Sequence, residues 1–378
     1  MKQKIAVLTG TRAEYGLLKG VLKHITSSSK LELHLIVIGM HLSDEFGYTL
    51  REIEKDGFRI DAKINTLNKG DSGAEMAEYI GRSVIEIAKS LIQIKPDIFL
   101  VLGDRSEALA GAIAASCMNI LIAHVHGGEI SGSVDESFRH AITKLAHLHF
   151  VATEKSRKKI LMMGEDPSRI FVVGAPGLED IPSKIVNSKT VAEKYGLNIK
   201  EPKILVVQHP VVTEAEESEK QIKETLDAIV ELGFKTIIVY PNADAGGRRM
   251  IKIIERYKKN YEFIEAFRNI PRNEYLSLMS IVDVMVGNSS SGIIEAPYFK
   301  LPVVNIGTRQ KGRERAENVI DVRYDKEEIK KAIKKAIFDE EFREKVKKCR
   351  NPYYKKDSAK KIVETLEKIK ITKELLQK

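Results

Sequence analysis

Apolar residues along this chain come in short unbroken runs, separated by longer stretches in which they recur at helical spacing. Runs of strand length stand at Lys4–Gly10, Leu33–Gly39, Asp97–Gly103, Ile120–His126, Leu148–Ala152 and Ile170–Gly174. They are continuous rather than alternating, which predicts parallel strands covered on both faces. Between them lie amphipathic segments of helix length, such as Tyr15–Thr26 and Met76–Gln93. The region Ala175–Ser183, with Pro176, Gly177 and Pro182, reads as a linker. The pattern then restarts at Lys203–Gln208, Lys235–Tyr240, Glu262–Ala266, Val282–Gly287 and Pro302–Ile306. The prediction is an α/β protein of two Rossmann-like, doubly wound domains, spanning 1–178 and 179–356. A long charged helix over Asp357–Glu374, within a final segment 357–378, is expected to cross back to the first domain.

In doubly wound sheets, ligands bind beyond the carboxyl ends of the strands, where the turns leave backbone groups free. The unusual residues of this chain lie at those ends. Thr9-Gly10-Thr11-Arg12, Gly103-Asp104-Arg105 and His124-Val125-His126-Gly127-Gly128-Glu129 follow strands of the first half. Gln208-His209-Pro210, Tyr240-Pro241-Asn242 and Gly287-Asn288-Ser289-Ser290 follow strands of the second. One cleft between two domains would collect them all.

Composition narrows the class. A chain of 378 residues, 43% hydrophobic and 30% charged, is ordinary globular material and long for a single core. No apolar run approaches the roughly 20 residues of a membrane span. The N-terminus enters a strand-like stretch without a signal pattern, so a cytoplasmic location is the expectation. The net charge of +9 raises nucleic acid as a partner. However, the excess lysines, such as Lys330, Lys331, Lys334 and Lys335, alternate with acids at helical spacing, as on a solvated face. There is no Trp and no aromatic interleaving, which argues against it. The two cysteines give neither a disulfide framework nor a metal spacing, and Cys117 reads as inert core.

The candidate chemistry falls into two kinds. Gly287–Glu295 is a glycine-serine turn opening a helix. Its N–H groups and the hydroxyls of Ser289, Ser290 and Ser291 make an anion site, with Glu295 placed to accept from ribose hydroxyls. The alternative is a plain N-cap. Arg309 and Arg313, in the basic loop Gly307–Arg315, could clamp phosphates. The first strand's turn carries Arg12 but no G-x-G-x-x-G, which argues against a nicotinamide cofactor. Asp104 is either functional or an N-cap for the helix Ser106–Cys117. His124, His126, Glu129, His140, His147 and His149 crowd together without metal-ligand spacing, so acid–base work by one or two histidines is preferred to metal, and Glu129 is expected among the substrate contacts. His124 and His126 are expected on one strand face. Ser133–Glu136 reads as a capping box, with Asp135 in the first turn facing the cleft. His209 would face a leaving group across it.

In combination these segments resemble the hydrolysing UDP-N-acetylglucosamine 2-epimerases, from residue 9 to about 318. The segments that carry the likeness are Thr9–Gly16, Gly103–Arg105, His126–Glu129 with Asp135–Lys144, Tyr240–Gly246, Gly287–Glu295 and Gly307–Glu314. The resemblance implies glycosyltransferase-B architecture, no metal or other cofactor, and a homodimer or dimer of dimers. It also implies a two-step reaction. UDP leaves C1 as the C2 proton is removed, giving 2-acetamidoglucal. Water then adds at C1 and a proton returns to the opposite face of C2, giving N-acetylmannosamine for sialic-acid-type sugars. By position, Asp104 and Asp135 match acidic catalytic residues, Arg105 an orienting neighbour and His209 a catalytic or phosphate-contacting histidine. Arg12, Asn242, Ser289, Ser290, Glu295 and Arg309 match UDP contacts. One departure is His126, where many members carry Glu in a catalytic role. It leaves UDP-N,N′-diacetylbacillosamine, for legionaminic acid, as an alternative substrate. A glycosyltransferase or a non-catalytic nucleotide-sugar sensor would be the other readings. The density of ionisable residues in the first half argues against a transferase, and a sensor has no use for Asp104 and Asp135.

Overall fold

The computed structural model describes residues 2–68, 70, 72–181, 185–198 and 200–377. Pro182 and Ser183 of the expected linker lie outside the described residues. The first sheet contains β1 (Gln3–Thr9), β2 (Leu31–Ile38), β3 (Ile60–Ile64), β4 (Ile98–Leu102), β5 (Leu121–Val125), β6 (Leu148–Val151) and β7 (Ile170–Val172). Its order is β3-β2-β1-β4-β5-β6-β7, all parallel. The second contains β8 (Lys203–Val207), β9 (Lys235–Val239), β10 (Ile264–Phe267), β11 (Val284–Gly287), β12 (Val303–Ile306) and β13 (Val319–Val322). Its order is β10-β9-β8-β11-β12-β13, again all parallel.

Each sheet is covered on both faces, which is why its central strands carry no polar alternation. In β1, Ile5 and Val7 face one core with the helix Arg12–Ser27, while Ala6 and Leu8 face another with the helices Gly73–Ile94 and Ser106–Cys117. Burying such side chains stabilises by roughly 1.5–3 kcal/mol each. The predicted strands are all present. The edge strands β3 and β13 were not expected. Each carries charge, Asp61 and Lys63 in one and Asp321 in the other, as edges that must not pair further do.

Three expectations need correction. The C-terminal helix is not continuous. It runs Ser358–Lys368, and a separate turn, Lys373–Leu376, begins after a β-branched stretch that makes Thr372 an N-cap. Its apolar face, Ala359, Ile362, Val363 and Leu366, packs into the core of the first sheet. The supposed linker is packed rather than loose, since Ala175, Pro176, Gly177 and Leu178 are buried. Cys117 is exposed, because it is the last residue of its helix, whereas Cys349 is buried. No helix of the described residues is long and apolar enough to cross a membrane.

Candidate active site

Strand order reverses between β1 and β4 in the first sheet, and between β8 and β11 in the second. At such a switch point the following turns diverge and leave a crevice. Both crevices open into one cleft, with about 1570 Å³ of space between the walls that includes open solvent at its mouth. Its wall contains Arg12, Asp104, Arg105, His126 and Asp135 from the first half. From the second it contains His209, Asn242, Ser289, Ser290, Ser291, Glu295, Arg309 and Arg313. Of the residues singled out from sequence, Glu129 is not on this wall, nor are His124, His140, His147 and His149 of the histidine cluster.

The first half contributes charge. Asp104 follows β4 and forms an ion pair with Arg139, which is buried. It does not cap the next helix, whose N-cap is Arg105 with no side-chain bond. Asp135, in the first turn of the helix Val134–Leu145, pairs with Arg309 of the other half at 2.9 Å. The expected capping box is only half formed. Ser133 accepts from the Asp135 N–H, but Glu136 turns back to the Ser131 N–H at 2.7 Å. Arg105 reaches Asp244 at 2.9 Å and Glu107 at 3.4 Å. Burial alone would raise Glu107, yet Arg105 pulls its carboxyl below the ordinary value. Burial pushes the Glu14 carboxyl up to about 8, against a hydrogen bond from the Gly10 N–H.

The histidine cluster disperses. His124, on β5, is buried, with a ring nitrogen 2.7 Å from the Gly103 carbonyl oxygen, and burial lowers it to about 3. His147 accepts from the Ile122 N–H, His149 meets Glu165, and His140 meets Glu136. His126 does not share the strand face of His124. β5 ends at Val125, and His126 takes a left-handed conformation at φ 64°. Such backbone is costly for a non-glycine residue and is concentrated at functional sites. The turn carries the ring to the cleft wall. There Nδ1 sits 2.6 Å from Glu129, and Nε2 is buried with no hydrogen-bond partner.

The second half contributes donors. Gly287 has φ 130°, and a Cβ there would lie 2.2 Å from the Val207 carbonyl oxygen, so β8 and β11 can end side by side only around glycine. The turn opens a single helical turn, Ser291–Ile294, so a full helix dipole is not present. Backbone N–H groups and hydroxyls remain. Ser291 is engaged within the wall, accepting from Tyr275 at 3.0 Å and donating to Glu295. Glu295 also pairs with Arg272 at 2.7 Å, and Arg12 stacks over Tyr275 at 5.5 Å. His209 Nδ1 accepts from the Asn242 N–H at 3.2 Å, which leaves the neutral ring's proton on Nε2. Burial, with Arg309 and Arg105 adding, holds this imidazole well below its ordinary range. It is therefore a neutral donor.

Sequence reasoning missed several residues. Asn288 is fully buried and clamps the His209 backbone on both sides, at 2.7 and 2.8 Å. Arg139, Arg272, Tyr275 and Asp244 also build the site. Asn288, Arg139 and Asp244 lie inside segments the sequence marked out, but their partners are distant in the chain, and Arg272 and Tyr275 carried no local signal. Among the described residues no group of three or more His, Cys, Asp and Glu side chains could hold a metal ion.

Two facing Rossmann-like halves, one lined by carboxylates and an imidazole and the other by hydroxyl and guanidinium donors, define an enzyme-like cleft suited to an anionic ligand. The family model described as UDP-N-acetylglucosamine 2-epimerase matches residues 23–367. The chain belongs to this family. The UDP-N,N′-diacetylbacillosamine 2-epimerase (hydrolyzing) of Legionella pneumophila is 40% identical over 89% of this chain and 89% of its own. The UDP-N-acetylglucosamine 2-epimerase of Neisseria meningitidis is 36% identical over 88% and 87%. Among solved structures, UDP-GlcNAc 2-epimerase from Neisseria meningitidis bound to UDP-GlcNAc aligns with a TM-score of 0.83 at 20% identity, covering 97% of this chain and all of that one. The fold is thus the glycosyltransferase-B type.

Proposed function

We propose that this chain is a hydrolysing nucleotide-sugar 2-epimerase that converts UDP-N-acetylglucosamine and water to N-acetylmannosamine and UDP. One observation carries the reading. The unpartnered Nε2 of His126, with Asp104 and Asp135 on the same wall, faces the N–H and hydroxyl donors of Ser289 and Ser290 across one cleft. The C2 proton is weakly acidic, so its removal must accompany departure of the leaving group. His126 Nε2 takes that proton. The C–H electron pair becomes the C1=C2 bond, and the C1–O pair leaves with UDP. Arg12, Arg309, His209 Nε2–H and the serine turn stabilise the diphosphate, while Glu295, Arg272 and Asn242 shape the nucleoside end. Water then adds at C1. The proton reaches the opposite face of C2 through a second group, which we assign to Asp104 or Asp135; the proton released by the attacking water replaces it on that carboxyl, and His126 returns its own proton to solvent.

A second reading replaces the substrate with UDP-N,N′-diacetylbacillosamine. It is favoured by the Legionella pneumophila relative and by His126, where the resemblance leads one to expect Glu. Assembly as a homodimer or dimer of dimers, which the resemblance implies, belongs to the same proposal, as do a cytoplasmic location and a division of the chain near 178 and 356, which follows the pattern of strands and helices. Proton NMR in D₂O tests it. Free N-acetylmannosamine carrying deuterium at C2, with UDP released, is the expected product. Turnover of the diacetylated sugar alone would favour the second reading, and turnover of neither would end both.

A further inference from the structure

Glu129 was expected at the ligand, yet it is 3% exposed and lies behind the cleft wall. Its two oxygens face opposite ways. Oε1 lies 2.6 Å from His126 Nδ1. Oε2 accepts from Arg313 Nε at 2.9 Å and from a second guanidinium N–H of the same residue. Arg313 comes from the other half of the molecule, in the loop after β12. It is itself held by Gln310 Oε1 at 2.8 Å, and Gln310 Nε2 donates to the Asn288 carbonyl at 2.8 Å. A continuous buried path therefore runs from the serine turn, through Asn288, Gln310, Arg313 and Glu129, to His126. Neither UDP binding nor proton transfer by His126 requires that path as such.

We infer that Arg313 and Glu129 are positioning residues for His126, arming it as the proton acceptor only when the two halves meet. The inference rests on the reading of His126 as the C2 base. A carboxylate on Nδ1 fixes the tautomer and leaves Nε2 with its lone pair. That carboxylate also stabilises the imidazolium, because a buried anion needs a cation. Arg313 supplies the cation instead. Burial alone would raise Glu129, but Arg313 and then His126 hold it at about 2. With Arg313 withdrawn, Glu129 would lean on His126 for positive charge, and the ring would keep a proton it must lack to act as base. The other groups around the pair include His124 on β5, Arg139, which donates to the Glu129 carbonyl and pairs with Asp104, Tyr353 beside Glu129 and Arg313, and Asp135, whose charge acts on Arg313.

The test is the pH profile of kcat/KM for the full chain and for Arg313→Gln, Arg313→Lys, Glu129→Gln and His126→Gln. UDP affinity by calorimetry reports whether each variant is folded. Arg313→Gln is expected to move the acid limb up by about one pH unit and to cut kcat at neutral pH about tenfold, with KM within about threefold. Arg313→Lys, which keeps the charge, should restore most of the limb. Glu129→Gln should cost kcat about 100-fold with UDP affinity kept, as loss of an orienting partner does. An acid limb unmoved in Arg313→Gln, and equally in Arg313→Lys, overturns the inference. An unchanged limb in His126→Gln would instead remove His126 as the base, a separate failure.

Discussion

The two halves share one topology and divide the work. Both run in the order 3-2-1-4-5-6 about the same switch point, the first adding one strand. After β4 and β5 the first half places Asp104, His126 and, a turn later, Asp135. After β8 and β11 the second places His209, made a neutral donor, and a glycine-serine turn. The scaffold chooses where a ligand lies, and the turn residues choose what happens to it. The difference also locates cost. Carboxyls crowd the first half, and guanidinia from the second, Arg309 and Arg313, reach across to hold two of them, the partly buried Asp135 and the buried Glu129.

If that division is real, each half can be damaged separately. Asp135→Asn should lower kcat about 10³-fold, within the range of a lost acid or base. UDP should bind at least as tightly, because Arg309 is released for the diphosphate. Calorimetry beside steady-state kinetics checks this. A weaker UDP complex with intact kcat would break the comparison.

The first half should also show its buried acids in stability. Glu14 sits at about 8 in the fold against an ordinary 4.5. Between those values the native state keeps a proton that the unfolded chain has lost. Its contribution is thus full below the unfolded value and is lost as pH rises through the folded one. Wild type should lose on the order of 3 kcal/mol between pH 5 and 8 from this group. Glu14→Gln, which keeps an acceptor for the Gly10 N–H, should flatten that slope in urea denaturation. An unchanged slope would place the burden elsewhere.

Damage to the second half should appear in binding. Glu295→Ala removes the partner of Arg272 and the acceptor of Ser291, so UDP affinity should fall about 30-fold, the scale of a charged hydrogen bond lost from a buried site. With saturating substrate, kcat should stay within about threefold. A kcat effect of the Asp135 kind would show that the serine turn is part of the chemistry.

Much of this division was legible in the chain because it is written in local features. Strands covered on both faces must be continuously apolar, and the residues that interrupt them, Asp104, His126, His209 and Gly287, stand at the ends where ligands bind. Edge strands β3 and β13 were not legible, since one open side lets charge into the pattern. Partnerships were also hidden. Glu129 adjoins a glycine pair and so resembles a ligand contact, but its second oxygen is claimed by a residue 184 positions away. The motif showed that Glu129 matters, and only the fold showed that it faces inward.

The smallest change tests the contact between the halves. Gly132 donates its N–H to the Arg309 carbonyl at 3.0 Å, and a Cβ at Gly132 would sit 2.0 Å from the Thr308 carbonyl oxygen. That oxygen belongs to backbone, so it cannot swing aside as a flexible side chain would. Gly132→Ala must therefore hold the loop before Asp135 away from the loop bearing Arg309 and Arg313. Neither sheet is touched, so thermal stability should change little. Asp135 and Glu129 would both meet their arginines less well, and kcat/KM should drop about tenfold, the scale of an imperfect catalytic geometry. UDP, held by the second half, should bind within about threefold of wild type. A tenfold loss in UDP affinity instead would mean that nucleotide binding already requires the halves to be joined, and that gripping and chemistry are one event rather than two.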